Sequence, residues 1–286
     1  MAAQLIDGKV LSASVKEKLR MQAEELRAAG VTPGLAVILV GEDPASQIYV
    51  RNKEKACGQV GIRSTVLRLP ETTTQQELED LIRRFNEDEN VDGILVQVPL
   101  PRHMDEAAAL SMIRPEKDVD GFHVVNMGRL FSGQDTIVAC TPKGVMEMIH
   151  STGVLVSGKE AVVVGRSNNV GKPIAMLLLQ ENATVTMCHS RTKDLAAHTK
   201  RADILVAAVG RPRFITGDMV KPGALVIDVG INRVDQKVVG DVDFDSASDV
   251  AGYISPVPGG VGLMTVAMLM ANTLQIAKSR MSAKRA

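Results

Sequence analysis

Residues 161–173, AVVVGRSNNVGKP, constrain this chain more than any other stretch: a short apolar run feeds directly into a loop bounded by Gly165 and Gly171. Small and β-branched residues without polar alternation have the composition of a strand buried on both faces of a parallel sheet. Gly171 and Pro173 then open the apolar run IAMLLL. A proline near the first helical turn lacks only an N–H that has no partner there, so a helix is predicted. The N–H groups at its start, together with the helix dipole, favour a phosphate over the loop. The spacing departs from G-x-G-x-x-G, because Gly165 and Gly171 stand six apart with Arg166, Ser167, Asn168 and Asn169 among the residues between them. Two readings follow from the loop alone: a variant dinucleotide fingerprint, or an ordinary strand–loop–helix turn.

The strand that follows, ATVTMCHS, narrows the choice. An NAD site places an acidic residue at the end of this strand to bind the ribose hydroxyls. Here the chain supplies His189, Ser190, Arg191, Thr192 and Lys193 instead, and Arg166 stands in the preceding loop. Guanidinium and hydroxyl donors match phosphate oxygens, so the pattern predicts NADP over NAD. Lys193 alone reads as part of a solvated basic turn.

At 286 residues the chain exceeds what one core fills, and two domains are expected. A formal net charge of zero argues against a nucleic-acid partner. Cys57, Cys140 and Cys188 are odd in number and lack C-x-x-C spacing, which fits a reducing cytoplasm and neither a disulfide framework nor a zinc knuckle. The five histidines are scattered, and no metal is expected. The N-terminus has no positive region followed by an apolar stretch, and no run approaches the roughly 18 apolar residues of a membrane span, so no membrane role is expected.

In chain order, Leu11, Val15, Leu19, Ala23 and Leu26 recur at helical intervals, with Gly30 as a left-handed stop. LAVILV, 35–40, reads as a buried strand, and Asp43–Pro44 as the cap and first position of a helix running to about Val60. That helix carries Ser46, Tyr49 and Lys53 on one face near its start. Residues 62–69 alternate as a strand, Thr74 and Glu77 form a capping box, and GILVQ, 93–97, is a second buried strand ending in Gln97. A short helix capped by Asp105 and the polar loop PEKDVDG follow, and Thr141–Pro142 cap a further helix. Beyond the glycine loop, 203–210 and 224–232 are two more buried strands, each ending in glycine, where a cofactor can approach the backbone closely. A short hairpin is expected over 239–244, a defined loop over 256–262 (PVPGGVG), and a final helix over 263–278 with a solvated basic end. Alternating strands and helices imply parallel sheets, whose carboxyl ends share one edge. Tyr49, Lys53, Gln97 and the Asp118/Asp120 loop should gather there.

Tyr49 and Lys53 have the Tyr-x-x-x-Lys spacing of short-chain dehydrogenases, but in those the glycine loop precedes the tyrosine, and here Gly165 comes after it. PASQIYVRNKEKA, GILVQVPLP, PEKDVDGFH, GRSNNVGKP, CHSRT and PVPGGVG, in this order over essentially the whole chain, resemble the FolD family of bifunctional methylenetetrahydrofolate dehydrogenases/cyclohydrolases. The resemblance implies an α/β fold of two domains: a folate-binding domain over 1–140 joined by a returning C-terminal helix, 264–286, and a Rossmann-like NADP domain over 141–263. It implies a folate site of Tyr49, Lys53, Gln97 and Asp120, extended by Ser46, Pro258 and Gly259. Gly165, Arg166, Ser167, Ser190, Gly210 and Ile231 would line the NADP site. It implies oxidation of 5,10-methylenetetrahydrofolate, then hydrolysis of the methenyl cation to 10-formyltetrahydrofolate, in a cytoplasmic homodimer.

The residue types suit this chemistry. Hydride loss requires mainly positioning, and Tyr49 offers a flat wall and a hydroxyl. Opening the cation requires a base, a role that falls to Lys53. Gln97 orients it, because a desolvated lysine beside a cationic substrate favours its neutral form, which a carboxylate neighbour would oppose. Asp120 would accept hydrogen bonds from the pterin, and Asp118 would shape its loop. Where the family usually has PGGVGPMT, this chain has Leu263 for the last proline, which should loosen the helix start slightly. A two-domain dehydrogenase of the shikimate type and a non-catalytic NADP-binding module share the architecture. Assays with shikimate-type and folate substrates separate them.

Overall fold

The structure, a computed structural model, describes residues 3–285. The chain divides into two compact units: residues up to Ala13 with Leu130–Gln134 and Thr141–Thr265 form one, and Ser14–Arg129, Asp135–Cys140 and the chain from Val266 onward form the other.

The elements open with β1 (Gln4–Leu5) and α1 (Gly8–Ala28). Gly30, at φ 84°, closes α1, with its N–H on Arg27 O and that of Val31 on Leu26 O, a left-handed stop that satisfies two terminal carbonyls. Next come β2 (Gly34–Val40), buried at every position, and α2 (Pro44–Val60). Asp43 caps α2 by accepting the N–H of Ser46, and Pro44 occupies the first turn. β3 (Arg63–Leu69) and α3 (Gln75–Glu87) follow, α3 starting in the expected Thr74/Glu77 capping box. β4 (Gly93–Val96), α4 (Glu106–Ser111) capped by Asp105, and α5 (Val124–Phe131) complete this part of the chain. β2 lies centrally in a parallel sheet of order β3-β2-β4, its apolar residues packed against Leu78, Leu81 and Ile82 of α3.

The chain continues through α6 (Cys140–Ser151), β5 (Glu160–Val164), α7 (Gly171–Gln180), β6 (Thr184–Cys188), α8 (Leu195–Thr199), β7 (Ile204–Ala207) and β8 (Leu225–Asp228). Then come β9 (Asn232–Val234), β10 (Lys237–Val239), α9 (Phe244–Ser248), β11 (Tyr253–Ile254) and α10 (Val261–Arg285). Six strands pair in parallel in the order β1-β11-β8-β7-β5-β6. After β5 the chain steps outward to β6, then returns past β5 to β7. The direction of winding reverses there, and in such sheets the crevice outside the carboxyl ends at that point receives the ligand.

Several sequence expectations shift. β1 pairs with β11 in the six-stranded sheet, whereas the sequence grouped residues 1–140 together; two residues of pairing leave no periodic trace. The hairpin is β9–β10, upstream of 239–244, with Asp235 and Gln236 both at positive φ in its two-residue turn, a role not advertised by Asn or Gly. Helix α6 begins one residue before Thr141, and α5 was not anticipated.

Helix α10 starts at Val261, ahead of the expected 263, and continues to Arg285. The N–H of Leu263 donates to Gly260 O at 3.1 Å, a bond that proline could not make and that offsets the loosening expected at this turn. Over Val261–Ser282 the helix is long and apolar enough to cross a membrane, although the sequence reading found no such run; 61% of that window is nevertheless buried inside the protein. As expected, its later turns return to the unit built on β2. Asn272 Nδ2 donates to Val119 O and Val138 O, both at 2.9 Å, and Lys278 Nζ to Gln22 Oε1 at 3.0 Å.

Candidate functional site

The parallel pairing of β2 and β4 brings the start of α2 and the end of β4 to the same edge. Lys53 Nζ donates to Gln97 Oε1 at 3.0 Å. Gln97 is itself locked: its Nε2 donates to Val98 O at 2.7 Å, which leaves the amide oxygen for the lysine, and its backbone N–H donates to Ile38 O at 2.8 Å. Tyr49, one turn before Lys53, stands 46% exposed. Ser46 shares their face but is only 2% exposed, so its hydroxyl is not offered to a ligand; its N–H serves the Asp43 cap.

Asp120 completes the cluster. Burial pushes its carboxyl up to about 6 against the pull of the nearby Lys53 charge, and the negative charge of Asp118 adds to the rise. Asp118 is buried and fully engaged. Its Oδ1 accepts the Gly121 N–H at 3.1 Å, and its Oδ2 accepts the His123 N–H at 2.8 Å and Asn126 Nδ2 at 3.0 Å. Asp118 therefore shapes the loop, while no hydrogen bond within the protein occupies Asp120 among those the structure shows.

The other unit carries a cavity of about 290 Å³ at the reversal point of its sheet, lined in part by Gly165, Arg166, Ser167, His189 and Ser190. Gly165 adopts φ 136°, and a Cβ there would collide with Ala208 O, so backbone runs where any side chain would stand. A Cβ at Gly171 would likewise collide with Gly165 O. Ser167 Oγ accepts the Gly171 N–H at 3.3 Å and closes the loop over the start of α7. The His189 N–H donates to Thr192 Oγ1 at 2.8 Å, holding the turn after β6.

Gly210 lies in the loop after β7. The N–H groups of Val209, Gly210 and Arg211 converge on the carboxylate of Asp241 at 2.6, 2.9 and 2.9 Å. Asp241 rests in turn on Asp228, whose carboxyl accepts the N–H groups of Gly230, Asp241 and Val242; burial pushes Asp228 up to about 6 despite those bonds. Ile231 is 55% exposed beyond β8. Pro258 and Gly259 belong to the unit with the glycine loop, in the segment leading into α10. Arg211 and Phe214 also line the cavity and were missed by the sequence reading; the run GRPRF directly after β7 was the available signal. The buried partner Asp241 left no such trace.

The cavity residues fit a phosphorylated dinucleotide: a crowded glycine turn, two arginines and two serine hydroxyls, with no carboxylate in the lining among the described residues. Fold and cavity together define an NAD(P)-binding α/β protein with a second α/β unit bearing a lysine–amide–carboxylate cluster. Two family models cover the chain: the catalytic domain of tetrahydrofolate dehydrogenase/cyclohydrolase over residues 6–120, and the NAD(P)-binding domain of the same family over 139–281. The bifunctional protein FolD of Acetivibrio thermocellus is 57% identical over 279 residues, 97% of this chain and 98% of its own. That of Bordetella avium is 59% identical over the same length. Among solved structures, FolD from Campylobacter jejuni matches with a TM-score of 0.95 at 49% identity, over 98% of this chain and 100% of its own. The Trypanosoma brucei enzyme, solved with NADP and an inhibitor, matches with a TM-score of 0.93 at 43% identity over 100% of both chains. The chain belongs to the tetrahydrofolate dehydrogenase/cyclohydrolase family and is a bifunctional enzyme of that family.

Proposed function

We propose that Lys53, Gln97, Tyr49 and Asp120 carry both of the enzyme's reactions on one bound folate. The enzyme oxidises 5,10-methylenetetrahydrofolate to the 5,10-methenyl cation and hydrolyses this to 10-formyltetrahydrofolate, in one-carbon metabolism. NADP, when bound, accepts the hydride. In the first step the C–H bond of the one-carbon bridge breaks as a neighbouring nitrogen lone pair forms the C=N bond. The protein's part is to hold that carbon in place, with Tyr49 as a wall and Asp120 accepting the N–H donors of the pterin.

In the second step water adds to the cationic carbon. Neutral Lys53 takes one proton from the water as its oxygen bonds to the carbon and delivers it to the nitrogen whose C–N bond breaks, while the second water proton leaves as the hydroxyl becomes the formyl C=O, so that one proton is released overall. The carrying observation is the Lys53 Nζ–Gln97 Oε1 contact at 3.0 Å, with the amide fixed from behind by Val98 O. An uncharged acceptor aims the amine without stabilising its protonated form. Lys53→Ala is expected to slow methenyl hydrolysis by about 10²-fold or more, so that the methenyl chromophore accumulates during NADP reduction. Unchanged hydrolysis would show that the base lies elsewhere.

The unit built on β2 is the folate domain in this reading, and the unit built on β5 binds NADP through Gly165, Arg166, Ser167, Ser190, Gly210 and Ile231. Pro258 and Gly259 would contact the folate. Ser46 supports the α2 cap instead of binding substrate, consistent with its burial. A homodimer in the cytoplasm, with neither nucleic acid nor membrane as partner, is the assembly that the family resemblance and the neutral charge support.

A further inference from the structure

We propose that Arg211 is a second cation for the 2′-phosphate of NADP and that Phe214 positions it, an inference that rests on the cavity beside Gly165 being the NADP site. Arg211 lines the same cavity as Arg166 and Ser190. It reaches that cavity from the loop after β7, whereas Arg166 follows β5 and Ser190 follows β6, so cationic and hydroxyl donors arrive from three strand ends. Among the described residues, no carboxylate lines this cavity.

Two features distinguish Arg211 from an ordinary solvated arginine. Its backbone N–H is one of three consecutive donors gathered by the fully buried Asp241, which also accepts Asn232 Nδ2 at 2.9 Å. The loop position of Arg211 is thereby fixed from beneath. Its guanidinium carbon lies 4.3 Å from the centroid of the Phe214 ring, a stacking contact that restricts the side chain while leaving the N–H donors at its edge free for an anion. Holding the guanidinium in advance reduces the ordering cost when the ligand binds. A phosphate dianion is the group that draws most from a preset guanidinium fork, and the 2′-phosphate is what NADP has and NAD lacks.

The test compares the dehydrogenase reaction with NADP and with NAD for the full-length enzyme and for Arg211→Gln, Phe214→Leu and Arg166→Gln. Arg211→Gln is expected to raise the KM for NADP at least about tenfold, as the loss of a charge-assisted contact implies, while leaving the KM for NAD and the kcat unchanged. Phe214→Leu keeps an apolar body but removes the ring face, and is expected to raise the NADP KM severalfold with NAD again unaffected. The rise of the NADP KM with added salt should be shallower in Arg211→Gln than in the parent. An equal change for both cofactors, or none for NADP while Arg166→Gln still impairs it, overturns the role of Arg211 and leaves the cavity assignment standing. If neither arginine variant alters either KM, the cavity assignment falls with it.

Discussion

Asp120 faces two opposed demands. In the proposed role, reading a pterin edge requires an ionised carboxylate, yet burial raises its pKa to about 6, so the free enzyme loses the ionised form just below neutral pH, where an ordinary aspartate would keep it. Between the ordinary aspartate value and about 6 the folded chain binds the extra proton, so this group contributes stability at low pH that is lost as the pH rises through about 6. Substrate affinity has the opposite slope. The folate KM is therefore expected to rise as pH falls from 7 to 5, while Asp120→Asn, with no carboxylate to titrate, should show a weaker but flatter profile over that range. A parallel profile in the variant would assign the titration to another group. The sequence displayed much of this cluster: Tyr49, Lys53, Gln97 and Asp120 lie in long motifs. It could not show that Ser46, on the same helical face, turns inward, because a helical face does not tell how deeply each turn is buried. Nor could it show Asp228 and Asp241 gathering backbone N–H groups, since buried carboxylates that serve loops follow no periodicity.

Among the elements, the turn between β5 and α7 is the least tolerant of change. Gly165→Ala meets both a backbone conformation that side chains rarely adopt and the carbonyl oxygen of Ala208, whereas at Gly153, with φ 74°, an added methyl would find nothing within 4 Å. Gly153→Ala thus isolates the conformational cost, about 1 kcal/mol. Gly165→Ala should exceed it by about 1–3 kcal/mol of strain and abolish saturable NADP binding, measured by thermal melts and dinucleotide titration. Equal melting temperatures for the two variants would mean that the β7 end yields freely. Elements with local chemistry of their own were legible: Asp43–Pro44, the Thr74/Glu77 box and the apolar runs of β2, β4 and β5 each announce themselves over a few residues. The strands β1 and β11 were not, because each is a pair of residues whose partners lie far along the chain.

For the molecule as a whole, the last helix connects residues that are almost two hundred positions apart in sequence. Arg280 Nε lies 2.7 Å from Asp92 Oδ1 in an ion contact, and the side chain of Asp92 is wholly inaccessible. The other carboxylate oxygen accepts the Gly34 N–H at 2.8 Å, at the first residue of β2. Burial still raises the Asp92 pKa above its ordinary value, with Arg280 pulling against it. Removing the arginine leaves a buried charge held mainly by one N–H, and such losses cost about 3–5 kcal/mol when fully buried; the partial exposure of Arg280 brings the expected cost of Arg280→Met to about 1–3 kcal/mol. The sign of its pH dependence follows from the acid. Without Arg280 the Asp92 pKa rises further, so more of the destabilisation is relieved as the solution becomes acidic enough to protonate it. Thermal melts should show a gap between parent and Arg280→Met that is wide at pH 7.5 and narrower at pH 5. Asp92→Asn added to Arg280→Met should recover part of the loss at pH 7.5 and remove its pH dependence. A gap of constant width would mean that Arg280 acts through the packing of its stem, and α10 would then be held by apolar contacts and Asn272 without help from this ion pair.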